Sequence, residues 1–218
     1  LPSRPDLPRL YAILDADVLA ARALDPLTLL DTWIAAGVRL VQLRAKTLPG
    51  GAFLELARAM AIRLDAAGGL FIVNDRADIA RMAGAGGVHV GQDDLSPVEV
   101  RAIAGRDAIV GLSTHSESQV KDALRLPIDY VAIGPVFATR TKGPAADPPV
   151  GLEGVRRAVA RAGAAGRPVV AIGGIDLSTA RDVLSAGAAS VAVISDLLTD
   201  DPAARARAYQ EALDRPEP

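Results

Sequence analysis

The chain has 218 residues, half of them apolar, and a formal charge of −2. Such a length suits one α/β barrel, where about 200 to 250 residues fold as a unit, and so weak a charge gives no electrostatic reason to expect nucleic acid or an anionic membrane as partner. With no Cys, and with His89 and His115 as the only imidazoles, a disulfide framework, an iron–sulfur cluster, a thiol nucleophile and a multi-histidine metal centre are excluded.

Residues 1–9 read as a Pro-rich N-terminal extension without the apolar stretch of a signal peptide. The first strand is expected at Leu10–Asp15, and Asp25-Pro26 then places an N-cap before a first-turn proline. A second strand, Val38–Arg44, runs into QLRAK, where Gln42, Arg44 and Lys46 are spaced by two and share a face while the strand lasts. Gln inside an apolar strand needs a polar partner. Two cations leaving the strand end suit an anion such as a diphosphate; the plainer reading is an amphipathic strand end with solvated charges.

A helix over Ala52–Ala67 separates this strand from Leu70–Asp75, which ends in Asn74 and Asp75. The strand Gly87–Val90 follows, and Asp94 lies just beyond it. Two carboxylates on neighbouring loops suit Mg²⁺, which takes a few protein oxygens together with water and substrate phosphates. Asp75 or Asp78 could instead begin the helix at Ile79. For Asp94 that role is already filled, since Ser96-Pro97-Val98-Glu99 is a capping box. Alternation through Val88, Val90 and Gln92 favours Asp94 over Asp93 and turns His89 towards the helices.

The strand Ile109–Ser113 ends in a serine left to donate to a phosphate, because Ser116 and Gln119 form a second capping box; His115 is given no role. After Asp129–Gly134 comes a long connection, Pro135 to Val150, carrying Thr139, Arg140, Thr141 and Lys142. Long ordered loops in compact domains are usually functional, and alternate hydroxyls beside a lysine suit one phosphate. A helix over Leu152–Ala162 leads to strands Pro168–Gly174 and Ser190–Ser195. Gly173-Gly174 there would let the backbone approach an anion. Asp201-Pro202 starts the last helix, and 214–218 form a tail.

Strand starts recur about every 26 residues, one strand-plus-helix unit. Eight such units with no linker predict a single (β/α)8 TIM barrel over 1–218, with its site in the loops at the C-terminal strand ends. A doubly wound sheet would normally have fewer strands. No apolar run nears the roughly 20 residues of a membrane span, so a cytoplasmic location is the default expectation.

Taken together, QLRxK, NDRxDxA, GVHVGQxD, GLSTH, DYxxxGPxFxTxTK, AIGGI and VIS make the chain resemble the thiamine-phosphate synthase family over nearly its whole length. The resemblance implies Mg²⁺-dependent condensation of 4-amino-5-hydroxymethyl-2-methylpyrimidine diphosphate with a thiazole phosphate, giving thiamine phosphate and pyrophosphate. It implies that Gln42, Leu43, Arg44, Ala45, Lys46, Asn74, Ser113 and Lys142 hold the pyrimidine diphosphate, with Arg44, Lys46, Ser113 and Lys142 catalytic. Asp75 and Asp94 would bind Mg²⁺. Thr139, Arg140, Thr141, Gly173, Gly174, Ile194 and Ser195 would hold the thiazole phosphate. Its partners are small phosphorylated molecules, and a homodimer is compatible with it. A thiazole tautomerase-like isomerase or a non-catalytic thiazole-phosphate-binding barrel are the alternatives.

Overall fold

The computed structural model describes residues 7–139 and 147–215. Eight parallel strands pair in sequence order and close, β1 (Leu10–Asp15), β2 (Leu40–Arg44), β3 (Leu70–Asn74), β4 (Gly87–Val90), β5 (Ile109–Thr114), β6 (Tyr130–Ile133), β7 (Val169–Ile172) and β8 (Ser190–Val193). The ring is sealed by β1 against β8, where Leu10 faces Val191 and Ala12 faces Val193. Outside it run α2 (Pro26–Ala35), α3 (Gly50–Ala66), α4 (Ala77–Ala83), α5 (Pro97–Ala104), α6 (Glu117–Ala123), α7 (Gly151–Ala164), α8 (Ala180–Ser185) and α9 (Pro202–Asp214). A further short helix, α1 (Ala16–Ala21), interrupts the connection from β1 to α2, and a 3-10 turn, Ser195–Leu197, follows β8.

The expected caps form where the sequence put them. Asp25 accepts from the Thr28 amide at 2.7 Å and Asp201 from the Ala204 amide at 2.8 Å, each ahead of its proline. Ser96 and Glu99 make the reciprocal box. The second box does not close: Ser116 accepts from the Gln119 amide, but the Gln119 side chain takes the His115 amide at 2.6 Å, one residue earlier in the chain. Gln119 thereby ties down the end of β5 instead.

Alternation along each strand makes two cores. Residues such as Leu14, Val41, Leu43, Val73, Val88 and Val90 face the helices in one continuous apolar layer. Tyr11, Ile13, Leu40, Ile72, Tyr130, Ala132, Val170 and Ala192 fill the barrel, joined by Leu7. The end of the N-terminal extension is therefore built in: Leu7 is buried, and the Arg9 carbonyl accepts from the Val191 amide at 2.8 Å. Tyr130 fits because β5 offers Gly111 beneath its ring, where a Cβ would lie 2.0 Å from the Tyr130 Cζ. Gly111→Ala should cost about 1 to 3 kcal/mol through overpacking. The expected result is a lower denaturant midpoint with an unchanged slope; an unchanged midpoint would show that the ring can step aside.

Candidate active site

The inward side chains turn polar as the strands approach their C-terminal ends, and there they surround a cavity of about 760 Å³. Gln42, Arg44, Asn74, Ser113, Thr139, Gly173, Gly174, Ile194 and Ser195 all line it, so residues from six of the strands or their following loops meet in one place. Lys46, Asp75 and Asp94 do not line it; they form a cluster where the loops after β2, β3 and β4 meet. Arg140, Thr141 and Lys142 lie outside the described residues.

Arg44 is held by Asp15, the last residue of β1. One Asp15 oxygen accepts from Arg44 at 2.5 Å, and the other caps α1 through the Asp17 and Val18 amides at 3.1 and 3.2 Å. Asp15 is 1% exposed, and a carboxylate so deep needs these partners. Asp17 continues the clamp by accepting from the amides of Lys46 and Thr47 at 2.8 and 3.2 Å and from the Thr47 hydroxyl. The loop bearing Lys46 is thus docked on α1.

β3 ends one residue earlier than expected because Asp75 adopts φ 61°, a left-handed conformation that Asp tolerates better than most residues. Its amide donates to the His89 carbonyl at 2.8 Å. Its carboxylate does not cap α4; it accepts from Lys46 and shares a hydrogen bond with Asp94. Asp94 also accepts from the Gly91 amide at 2.8 Å. Burial raises the Asp75 carboxyl above the ordinary carboxylate range, against the pull of Lys46, and the neighbouring Asp94 adds to the rise. For Asp94 the same burial is outweighed by its hydrogen bonds to Asp75 and Gly91 and by the Lys46 charge, so it stays low.

This donor set fits Mg²⁺. Two carboxylates lie in hydrogen-bond contact on adjacent loops, and among the described residues no group of three or more His, Cys, Asp and Glu could cage an ion unaided. A cation there would take its remaining oxygens from water and ligand, as Mg²⁺ does.

Several sequence expectations change. His89 faces the barrel, not the helices: Val88 and Val90 belong to the helix-facing layer, so the opposite parity points His89 inward. Its Nδ1 lies 2.9 Å from the Tyr130 hydroxyl and its Nε2 2.8 Å from the Ser113 hydroxyl. The alternation used to choose Asp94 over Asp93 was therefore reversed, and the structure instead pairs Asp94 with Asp75. Leu43 and Ala45 pack into the helix-facing layer, which leaves only their backbone to meet a cavity ligand. Gly173 and Gly174, at φ 97° and 67°, have a packing reason of their own: Cβ atoms there would come within 2.6 Å of Pro135 and of the Ala138 carbonyl. Tyr11, Tyr130 and His115 were missed. Their signal lay in parity: Tyr11 shares the inward face with Ile13, the partner of Gln42, Tyr130 shares it with Ala132, the partner of Ser113, and His115 follows Ser113 by two.

A closed parallel barrel with cations, hydroxyls and carboxylates gathered at its C-terminal strand ends defines a (β/α)8-barrel enzyme. The family model described as Thiamine monophosphate synthase matches residues 10–197. A thiamine-phosphate synthase of Koribacter versatilis is 46% identical over 210 residues, covering 95% of this chain and 96% of that one. One from Azorhizobium caulinodans is 44% identical over 191 residues, 86% of each. Among solved structures, the thiamine phosphate pyrophosphorylase from Pyrococcus furiosus superposes with a TM-score of 0.83 at 27% identity, over 94% of this chain and 96% of that one. The chain belongs to the thiamine monophosphate synthase family, and it is a transferase of thiamine biosynthesis.

The opposed neighbours of Asp75 predict its titration. Lys46→Met removes the group that lowers it and should move the Asp75 midpoint up; Asp94→Asn removes the charge that raises it and should move the midpoint down. Carboxyl-carbon NMR through the acid range reads both, and shifts in the reverse sense would break the proposed pairing.

Proposed function

We propose that the chain joins 4-amino-5-hydroxymethyl-2-methylpyrimidine diphosphate to 4-methyl-5-(2-phosphoethyl)thiazole, or its carboxylate form, releasing pyrophosphate and forming thiamine phosphate with Mg²⁺ as the cofactor. The observation that carries this reading is the joint presence, at one end of the barrel, of a preset cation on the cavity wall and a paired carboxylate site beside it. Arg44 enters the cavity on a buried carboxylate, and Lys46 bridges towards Asp75 and Asp94.

In this reaction the bond between the methylene carbon and the diphosphate oxygen breaks first, and its electron pair leaves with pyrophosphate. The electron-rich aminopyrimidine stabilises the resulting cation, and the thiazole nitrogen supplies the pair for the new carbon–nitrogen bond. No protein nucleophile is required, in keeping with a chain that has no cysteine. Mg²⁺ held by Asp75 and Asp94 would offset charge gathering on the departing diphosphate. Arg44, Lys46, Ser113 and Lys142 add fixed donors for the same charge, and such preorganised donors are worth most where charge grows in the transition state. Gln42 and Asn74 orient the pyrimidine. Thr139, Arg140, Thr141, the Gly173-Gly174 turn, Ile194 and Ser195 hold the thiazole phosphate, which fixes the nitrogen in line.

The purified chain supplied with both substrates and Mg²⁺ should form thiamine phosphate and pyrophosphate in equal amounts, and a chelator should stop it. No product with the metal present would overturn the proposal. Asp94→Ala should lower turnover by about 100-fold or more, the scale of losing a preorganised electrostatic element. It should also move the Mg²⁺ requirement to higher concentration; an unchanged metal titration would remove Asp94 from the cation site.

A further inference from the structure

Along the cavity floor five side chains, four of which line the cavity, form one continuous hydrogen-bonded line across the barrel. Gln42 Nε2 donates to the Tyr11 hydroxyl at 2.8 Å, Tyr11 lies 3.1 Å from the Tyr130 hydroxyl, and Tyr130 reaches His89 Nδ1, whose other nitrogen meets Ser113. Strands β2, β1, β6, β4 and β5 each contribute one member. The line is buried until its last member, with Tyr130 fully so and absent from the cavity lining. The Tyr130 and His89 rings also stack, 5.6 Å apart at 19°.

Hydrogen counting gives the line a direction. An amide nitrogen can only donate. Tyr11 receives a hydrogen from Gln42, and a line that also uses the Tyr11 hydrogen gives it to Tyr130, which in turn gives its own to His89 Nδ1. That nitrogen is then the acceptor, so Nε2 carries the imidazole hydrogen and donates to Ser113. The serine hydroxyl, already receiving one bond, has its own hydrogen left for the cavity. In the opposite direction Ser113 would give that hydrogen to His89 instead.

We propose that Gln42, Tyr11, Tyr130 and His89 act as a one-way relay that fixes the His89 tautomer and aims the Ser113 hydroxyl hydrogen at an anionic ligand, which makes Tyr130 a positioning residue although it does not line the cavity. The proposal rests on the functional reading above for the identity of the anion, a diphosphate. The direction of the relay does not depend on it.

Nitrogen-15 NMR of the two imidazoles tests the direction. His115 is the internal reference, because its Nδ1 faces the Gly134 carbonyl at 2.6 Å and must carry a hydrogen. The neutral His89 should show the other tautomer, with hydrogen on Nε2; hydrogen on Nδ1 overturns the relay. Gln42→Glu, which replaces the donor by an acceptor, should reverse the line and switch His89 to Nδ1–H; an unswitched ring in the folded variant overturns it equally. Function is tested by calorimetric binding of inorganic pyrophosphate with Mg²⁺. Tyr130→Phe, which keeps the ring, should weaken binding about five- to tenfold, the scale of one hydrogen bond. In a Ser113→Ala background it should have no further effect. Equal losses in both backgrounds would mean a merely structural role and sink the proposal. A wild-type chain that binds no pyrophosphate would overturn the functional reading and the anion half of this one, and the tautomer would still decide the direction.

Discussion

Closing eight parallel strands into a ring forces every second residue into a space with room for few side chains, and the chemistry of this protein follows from what occupies those positions. Low in the barrel they are apolar or Gly, as with Leu40, Ile72 and Gly111. Two residues further on they become Gln42, Asn74 and Ser113, and beyond Gln42 comes Arg44. The same alternation that packs the floor delivers polar groups to the roof. It also obliges each buried inward polar group to find a partner. The line from Gln42 to Ser113 satisfies that demand while linking five strands.

At the mouth, charges are matched before any ligand arrives. Arg44 leans on a buried carboxylate that also caps α1, so guanidinium, helix and strand end are fixed by the same two oxygens. Lys46 is neutralised by Asp75, while Asp75 and Asp94 compete for a proton. A cation held by the two carboxylates would compete with Lys46 for Asp75, and a released Lys46 would be a charge for an anion nearby.

Much of this was legible in the sequence, for definite reasons. Apolar runs marked all eight strands and cap residues the starts of α2, α5, α6 and α9, and β1 and β4 fall at the expected residues. Arg44 and Ser113 were visible because polar residues at the end of an apolar run have few other uses. The errors arose where one run permitted two phases. In Gly87–Val90, valines at 88 and 90 suit either face, and only pairing with β3 and β5 reveals that they look outward. Gln119 was misread because a side chain reaching back one residue too far is invisible to spacing. The left-handed Asp75 likewise leaves no mark in composition, although it decides where its carboxylate goes.

One feature of the β6 loop reaches beyond the site. Val136 and Phe137 donate their amides to Ile172 and Gly173 of the neighbouring turn, while Val150 and Gly151 donate back to Pro135 and Val136. Both roots of the long connection are therefore stitched to each other and to β7 before the chain leaves the barrel. Such a knot insulates the sheet from whatever the intervening residues do. Related chains could shorten, lengthen or recompose that span while the hoop of strands beneath keeps its geometry.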